Sequence, residues 1–443
     1  MVLGETLLRL PLPPREFIQA LQRKFISGKL RDQLANFSAE DPFELVEQIA
    51  QYTGSRSVEN EKHLIQPQDL QEAAHDFHAK AWTLTEEVKR EIDKLGSKDT
   101  LRLRIFHQPN LFMSPKILQQ AKALNDVASG LKSRYDLNSA QLWLALDYDD
   151  CSDPRFRTRQ IRDPFTREQI IFTGAVSRSE FGKVMWSIDK PGEGLVHKWI
   201  NQLRGIQDRH RGYLSKRIHH DQLLALRHAS QKSISGTEGL IQNALENSDT
   251  LVEFNMILMS YQVNLNWRLP TLFIPAHQLQ PGMTKAYEYL ISRLPAIKTA
   301  SKQAVARLKD QVVIQHMTEF TQDAFPVWYV CEHCDERVKL FENESDNLTV
   351  SGECQRCQTK YQFNLGTKNE PNLDPIKNRM LPNVILDDLL ETLGLGLDGG
   401  YDYIGSAEHM LISNLVAREL GISPQPPHGF HWFSDVFYDR ALL

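Results

Sequence analysis

Cys331, Cys334, Cys354 and Cys357 stand as Cys-x2-Cys, nineteen intervening residues, then Cys-x2-Cys. Four thiolates at that spacing can close a tetrahedral shell around one zinc ion, each pair gripping from a tight turn. Four of the chain's five cysteines fall within 27 residues. Two disulfides or a redox pair are the rival chemistries. A shell of four sulfurs leaves no open coordination position, so the zinc it predicts is structural. The flanking residues read as short strands of a zinc ribbon: Trp328 to Val330, Val338 to Phe341, Leu348 to Val350 and Tyr361 to Phe363, with an acidic turn over Glu342 to Asn347.

Three polar clusters elsewhere carry side chains suited to binding or proton transfer. His107-Gln108-Pro109-Asn110 follows the apolar run Leu101, Leu103, Ile105 and precedes a helix start at Ser114-Pro115, serine as N-cap and proline in the first turn. Asp147, Asp149 and Asp150 follow Leu142 to Leu146 and suit a magnesium ion, a ribose or an amino group. The glycine-rich stretch Gly394 to Gly405 leads to Ser406, Glu408 and His409, where backbone can approach a ligand and a helix N-terminus faces it. Each cluster also has a plain structural reading, as turn backbone partners, a solvated turn and ordinary helix N-terminal residues. Cys151 has no base beside it and reads as a small buried residue.

The elements that must position these clusters follow from periodicity. Residues 1 to 98 are expected to be helical, with apolar spacings of three and four in Phe17 to Phe25, Pro42 to Tyr52 and Pro67 to Leu95. From 99 to 193 a strand, a helix and a second buried strand form a unit that fits a right-handed crossover in a parallel sheet. Ile170 to Val176 and Val184 to Ile188 suggest a further strand pair. Residues 194 to 325 read as a mainly helical insertion, and Pro270 demotes Trp267 to Ile274 to an edge strand or loop. The ribbon takes 326 to 366, and Asn369 to Asn378 reads as a linker. Residues 367 to 443 return to the core, with a helix near Ser406 to Leu420 that Gly421 can cap. The expected class is α/β, and in a parallel sheet the first two polar clusters fall at strand carboxyl ends, where ligands collect.

Composition sets outer limits. The chain has 443 residues, 41% hydrophobic and 24% charged, as expected of a globular protein with two or three domains. A net charge of −5 argues against general nucleic-acid or membrane-surface binding. Met1 to Pro14 lacks the pattern of a signal peptide, and no run of 18 apolar residues predicts a membrane span. Clustered thiols suit a reducing compartment, so a cytoplasmic location is expected. One basic stretch, Lys198 to Lys232, could track an RNA backbone, although its leucines require a packed side and favour a solvated helical face.

Part of the chain resembles the bacillithiol-biosynthesis enzymes that add cysteine to glucosaminyl-malate. Gln108-Pro109-Asn110-Leu111-Phe112-Met113-Ser114-Pro115 is similar to that family's strand-end motif, which has glycine where Asn110 stands. Trp143 to Asp150 is similar to its next strand end, and Arg379, Leu381-Pro382, Gly399-Gly400 and Glu408 to its late segment. The likeness covers about 100 to 190 and 375 to 425. It implies a Rossmann-like core with helical insertions, and a ligase joining cysteine or another small amino acid to an amine-bearing acceptor. ATP or ADP with Mg2+ would then sit at the strand ends. His107, Asp147, Asp149 and Glu408 would act at the reacting centre, and Gln108, Asn110, Ser114, Gly399, Gly400 and Ser406 would hold the cofactor. The alternative is a zinc-ribbon protein that binds RNA or a protein partner without catalysis.

Overall fold

The computed structural model describes residues 42–53, 64–113, 115–162, 169–214, 236–308, 324–343, 347–403, 407–421 and 426–431. The helix expected over Phe17 to Phe25 lies outside them. In chain order come helices α1 (Pro42–Thr53), α2 (Pro67–Lys80) and α3 (Glu86–Lys94), then β1 (Leu101–His107), α4 (Pro115–Tyr135) and β2 (Ser139–Ala145). A small hairpin follows, β3 (Arg159–Arg162) with β4 (Gln169–Phe172), and then α5 (Glu193–Leu214), α6 (Leu251–Ser260), β5 (Leu272–Pro275), α7 (Thr284–Ile291) and α8 (Leu294–Leu308). The last part holds β6 (Ala324–Val330), β7 (Arg337–Glu342), β8 (Asn347–Glu353), β9 (Lys360–Thr367), β10 (Met380–Pro382), α9 (Val384–Leu393), β11 (Gly399–Tyr403), α10 (Ala407–Glu419) and β12 (His428–His431).

Five strands form one parallel sheet in the order β5-β2-β1-β11-β12. In chain order its strands run third, second, first, fourth, fifth, so the winding reverses between β1 and β11. The alternation in β1 explains its central place. Leu101, Leu103 and Ile105 bury one face, and Arg102, Arg104 and Phe106 occupy the other. That second, polar face is also buried, because the segment from α9 to β11 supplies partners. Arg104 Nε donates to Glu391 at 2.9 Å, and Arg102 Nη1 donates to the Leu395 carbonyl at 2.7 Å. Helix α4 runs unbroken past Gly130, where a β-carbon would meet Val46 at 2.7 Å; the missing side chain lets α1 pack closely.

Two expected boundaries shift. β5 belongs to the sheet although it falls inside the stretch read as a helical insertion; of the two expectations, edge strand or loop, it takes the first, and it begins two residues past Pro270. Its outward Phe273 N–H donates to His78 Nε2 at 3.0 Å, which closes the edge with a side chain of α2. The ribbon is a five-stranded antiparallel sheet, β10-β6-β7-β8-β9, so it recruits Met380–Pro382 from beyond residue 366. Val338, Leu340, Leu348 and Val350 of the ribbon share one apolar core with Leu142 and Leu272 of the parallel sheet. Val184 to Ile188 is not a strand of a pair. Met185–Ser187 forms a helical turn whose Met185 and Trp186 N–H groups donate to the carbonyls of Asp149 and Asp147 at 2.9 and 3.0 Å, which clamps the aspartate loop. Among the described residues no helix is long and apolar enough to cross a membrane.

Candidate active site and metal centre

The four cysteines meet at one end of the ribbon. Their sulfurs lie within 4.8 Å of one another, with Cys331–Cys357 and Cys334–Cys354 at 3.4 Å and Cys334–Cys357 at 3.7 Å. A zinc ion with Zn–S bonds of about 2.3 Å sets the edges of its sulfur tetrahedron at about 3.8 Å, so the cluster is close enough to hold one metal ion and compatible with structural zinc. The two turns repeat one design. Asp335 N donates to the Cys331 carbonyl and Gln358 N to that of Cys354, at 3.0 and 2.9 Å, and both Asp335 and Gln358 take left-handed φ values, 56° and 60°. The Tyr361 hydroxyl donates to Cys331 Sγ at 3.1 Å, and Thr359 Oγ1 lies 3.1 Å from Cys357 Sγ. Such partners fix the orientation of a ligand sulfur and temper its charge.

The second site lies at the carboxyl edge of the parallel sheet. His107, Ala145 and Pro275 occupy one row across β1, β2 and β5, so the loops that follow leave the sheet side by side. Asp147 is fully buried in the β2 loop. Its Oδ1 accepts from His277 N at 3.0 Å, and its Oδ2 pairs closely with His277 Nδ1. Burial is the largest effect and opposes a charge on His277, but the charge and hydrogen bond of Asp147 and the charge of Glu253 together outweigh it and raise the imidazole pKa. The ring stacks on Trp186 with centroids 4.9 Å apart, and its side chain stays 30% exposed.

The loop after β1 is held from two sides. Asn255 Nδ2 of α6 donates to the Pro109 carbonyl at 2.8 Å, and Gln108 Nε2 donates to Asp149 Oδ2 at 2.6 Å. Asn110 is 2% exposed, yet both atoms of its amide are buried without a hydrogen-bond partner. An unsatisfied buried amide is costly, and it is the kind of group that a bound polar ligand satisfies. His107 Nδ1 lies 2.9 Å from the Gln108 carbonyl and so takes part in the local turn.

Several expected roles change. Both oxygens of Asp147 are taken by His277, while Asp149 is taken by Gln108 and by Arg337 of β7 at 3.2 Å. Asp147 thereby orients a histidine, while the Asp149 side chain stays 37% exposed. Gly399 and Gly400 do not form a ligand loop, because they sit within β11 opposite Leu103 and Arg104. A β-carbon on Gly399 would meet Ile49 at 2.5 Å, and one on Gly400 would meet His428 at 2.6 Å, so packing of neighbouring elements requires both glycines. Ser114 and Ser406 lie outside the described residues; Glu408 falls in α10, with its side chain outside them. Of the basic stretch, 215 to 232 lies outside as well, and Arg204 is paired with Glu238. Cys151 is fully buried, and burial pushes its thiol up to about 11, in keeping with an inert side chain.

Sequence reasoning missed His277, Asn255 and Arg337. A signal for His277 existed: Leu272-Phe273-Ile274-Pro275-Ala276-His277 repeats the apolar-run-then-polar pattern of β1 and β2. Asn255 and Arg337 carry no such mark, since both act through contacts distant in sequence. No protein-family model matches this chain, and no curated protein is detectably similar to it.

Proposed function

We propose that the protein is an amide-forming ligase on a Rossmann-like core, joining cysteine or another small amino acid to an amine-bearing acceptor with a nucleotide at the strand ends. The observation that carries the reading is the Asp147–His277 pair at the carboxyl edge, with the buried amide of Asn110 in the neighbouring loop. The strand order supports it, because ligands of open parallel sheets bind where the winding reverses, and the His107 to Asn110 loop leaves β1 at that reversal. Four sulfurs held as a closed shell fit a structural zinc ion that folds the ribbon and leaves the chemistry to the core.

In this reading His277, its imidazole pKa raised with the help of Asp147, offers Nε2–H to phosphoryl oxygens of the nucleotide. It stabilises the negative charge that builds on the departing phosphoryl group as the amine nitrogen bonds the activated carbonyl carbon, the C–O bond to phosphate breaks and the amine gives its proton to solvent. Asn110 supplies an amide donor and acceptor in a desolvated recess, and His107 borders it. Gln108 and Asp149 fix the shape of the loop between them. The resemblance to cysteine-adding enzymes suggests the class of acceptor and adds Glu408 as a closing residue.

Calorimetric titration of ATP and of ADP into zinc-loaded protein tests this. Saturable binding is expected, weakened by about ten- to a hundredfold in His277→Ala, the range of one charge-assisted hydrogen bond. Asn110→Ala is expected to weaken it as well. A folded, zinc-replete protein that binds neither nucleotide overturns the ligase reading.

A further inference from the structure

The ribbon meets the core at the candidate site itself. Arg337 opens β7 three residues past Cys334. Its guanidinium lies over the Trp328 ring at 5.2 Å, donates to Asp149 Oδ1 at 3.2 Å and stands 3.8 Å from Asp150 Oδ2. The other oxygen of Asp149 accepts from Gln108. A chain of contacts therefore runs from the first cysteine turn through Arg337 and Asp149 to the loop after β1.

The second cysteine turn docks in the same place. Arg356, between Cys354 and Cys357, donates to the carbonyls of Ser179 and Phe181 and pairs with Glu336 at 3.0 Å. Val184 N donates to the Asp335 carbonyl at 3.0 Å, next to the Met185–Ser187 turn that clamps the aspartate loop. Val330 and Leu381 of the ribbon form an apolar cluster with Tyr148, Val184 and Ala276, with Trp186 and Trp328 packed on it. Arg356 lies inside the second cysteine turn and Arg337 opens the strand after the first; Arg337 reaches the aspartate loop directly, and Arg356 reaches the 179–181 segment, next to Gly182, whose N–H donates to Asp150.

We infer that Arg337 is a positioning residue of the strand-end site: it holds Asp149, Asp149 holds Gln108, and the metal-closed ribbon thereby sets the geometry of the ligand loop. This rests on the strand ends being the ligand site, but the coupling itself can be read without a ligand. With Arg337 absent, the guanidinium that reaches both Asp149 and Asp150 is gone, and the Asp149 acceptor of Gln108 is less fixed. Lysine restores the charge but not the planar fork that lies over Trp328 while reaching both carboxylates.

Hydrogen exchange on the full chain is the test, comparing zinc-loaded wild type, chelator-treated wild type, Arg337→Ala, Arg337→Lys, Asp149→Asn and the Arg337→Ala/Asp149→Asn double variant. In Arg337→Ala, peptides covering 107–111 and 146–151 are expected to exchange about tenfold faster, while 347–367 keep their protection. Arg337→Lys recovers part of the difference, and Arg337→Ala adds little once Asp149 is asparagine. Zinc removal accelerates exchange in the same two loops. Unchanged exchange there, in both Arg337→Ala and the chelated protein, overturns the inference whatever the nucleotide does. Faster exchange in a protein that binds no nucleotide upholds the coupling and rejects the ligase reading alone.

Discussion

Asp147 and His277 stand 130 positions apart and share two hydrogen bonds, one to the backbone N–H and one to the ring of the histidine. A carboxylate with no exposed surface thereby fixes both the place and the tautomer of a partly exposed imidazole. The pair is a sign-determinate object. Burial, the largest single effect, lowers the pKa of His277; the charge and hydrogen bond of Asp147, with the charge of Glu253, together outweigh it and leave the pKa raised.

His277 is accordingly expected to titrate above the ordinary 6.5 in the wild type. In Asp147→Asn the charge is gone and burial remains, so the titration should fall below the wild-type value. The stabilising effect of the ion pair is full below 6.5 and fades as pH rises through the raised folded pKa. Histidine NMR titration of both proteins reads this directly. A wild-type His277 that titrates below 6.5 would show that the pairing fails in solution.

The metal centre is expected to stabilise more than the ribbon. Val338, Leu340 and Cys354 belong to the same apolar core as Leu142 and Leu272, so loosening the cysteine turns exposes a surface that the parallel sheet needs. Chelation, or Cys331→Ser, should shift the main thermal transition downward instead of creating a separate minor one. Calorimetric scans with and without added zinc check this. A main transition that ignores the metal would mean the shared core survives an open ribbon.

What the sequence made legible were the features with short-range causes. The cysteine turns and the β1–α4–β2 unit follow from spacing and alternation. The Asp147–His277 pair did not, because a periodic pattern cannot say which loop lands beside which. Gly399 and Gly400 illustrate a second limit. A glycine announces a close approach without naming what approaches, and here the neighbours are Ile49 and His428, not a ligand. Arg102 and Arg104 look like the wet side of β1 in the sequence; Leu395 and Glu391, nearly 300 positions away, make that side an interior.

Asp387 offers a pH test on the same face of the sheet as Arg104. It accepts from the Tyr148 hydroxyl and lines a cavity with Phe106, Leu144, Gln280 and Glu391 that has room for about one water molecule. Burial raises its carboxyl from 3.8 to about 7, against the opposing pulls of Tyr148 and Arg104. A folded pKa above the unfolded one means stability present below 3.8 and lost as pH rises through about 7. Asp387→Asn keeps an acceptor for Tyr148 and removes the titration. It should exceed the wild type in stability above neutral pH by about 1–3 kcal/mol, with no advantage at low pH. Urea melts at several pH values measure the crossing. Parallel curves for the two proteins would place the Asp387 pKa near its ordinary value.

His78 should give the reverse slope. It has no exposed surface, its Nδ1 lies 2.7 Å from Thr83 Oγ1, and its Nε2 accepts from Phe273 N on the edge strand. An acceptor at Nε2 requires the neutral ring with its proton on Nδ1. Burial pushes the pKa from 6.5 down to about 3, so the unfolded chain binds a proton in that interval and the folded one does not. The stability of the neutral ring is therefore complete above 6.5 and is lost as pH falls toward 3. The slope cannot exceed about 1.4 kcal/mol per pH unit for one proton. His78→Gln can keep both hydrogen bonds, donating to Thr83 through Nε2 and accepting from Phe273 through Oε1, without any charge to gain. Its acid-side unfolding should thus lack this contribution, and urea melts between about pH 6.5 and 4 should show the wild type losing stability faster than the variant. Equal slopes would mean that protonated His78 is tolerated in the fold, and that the edge of β5 opens before the ring is charged.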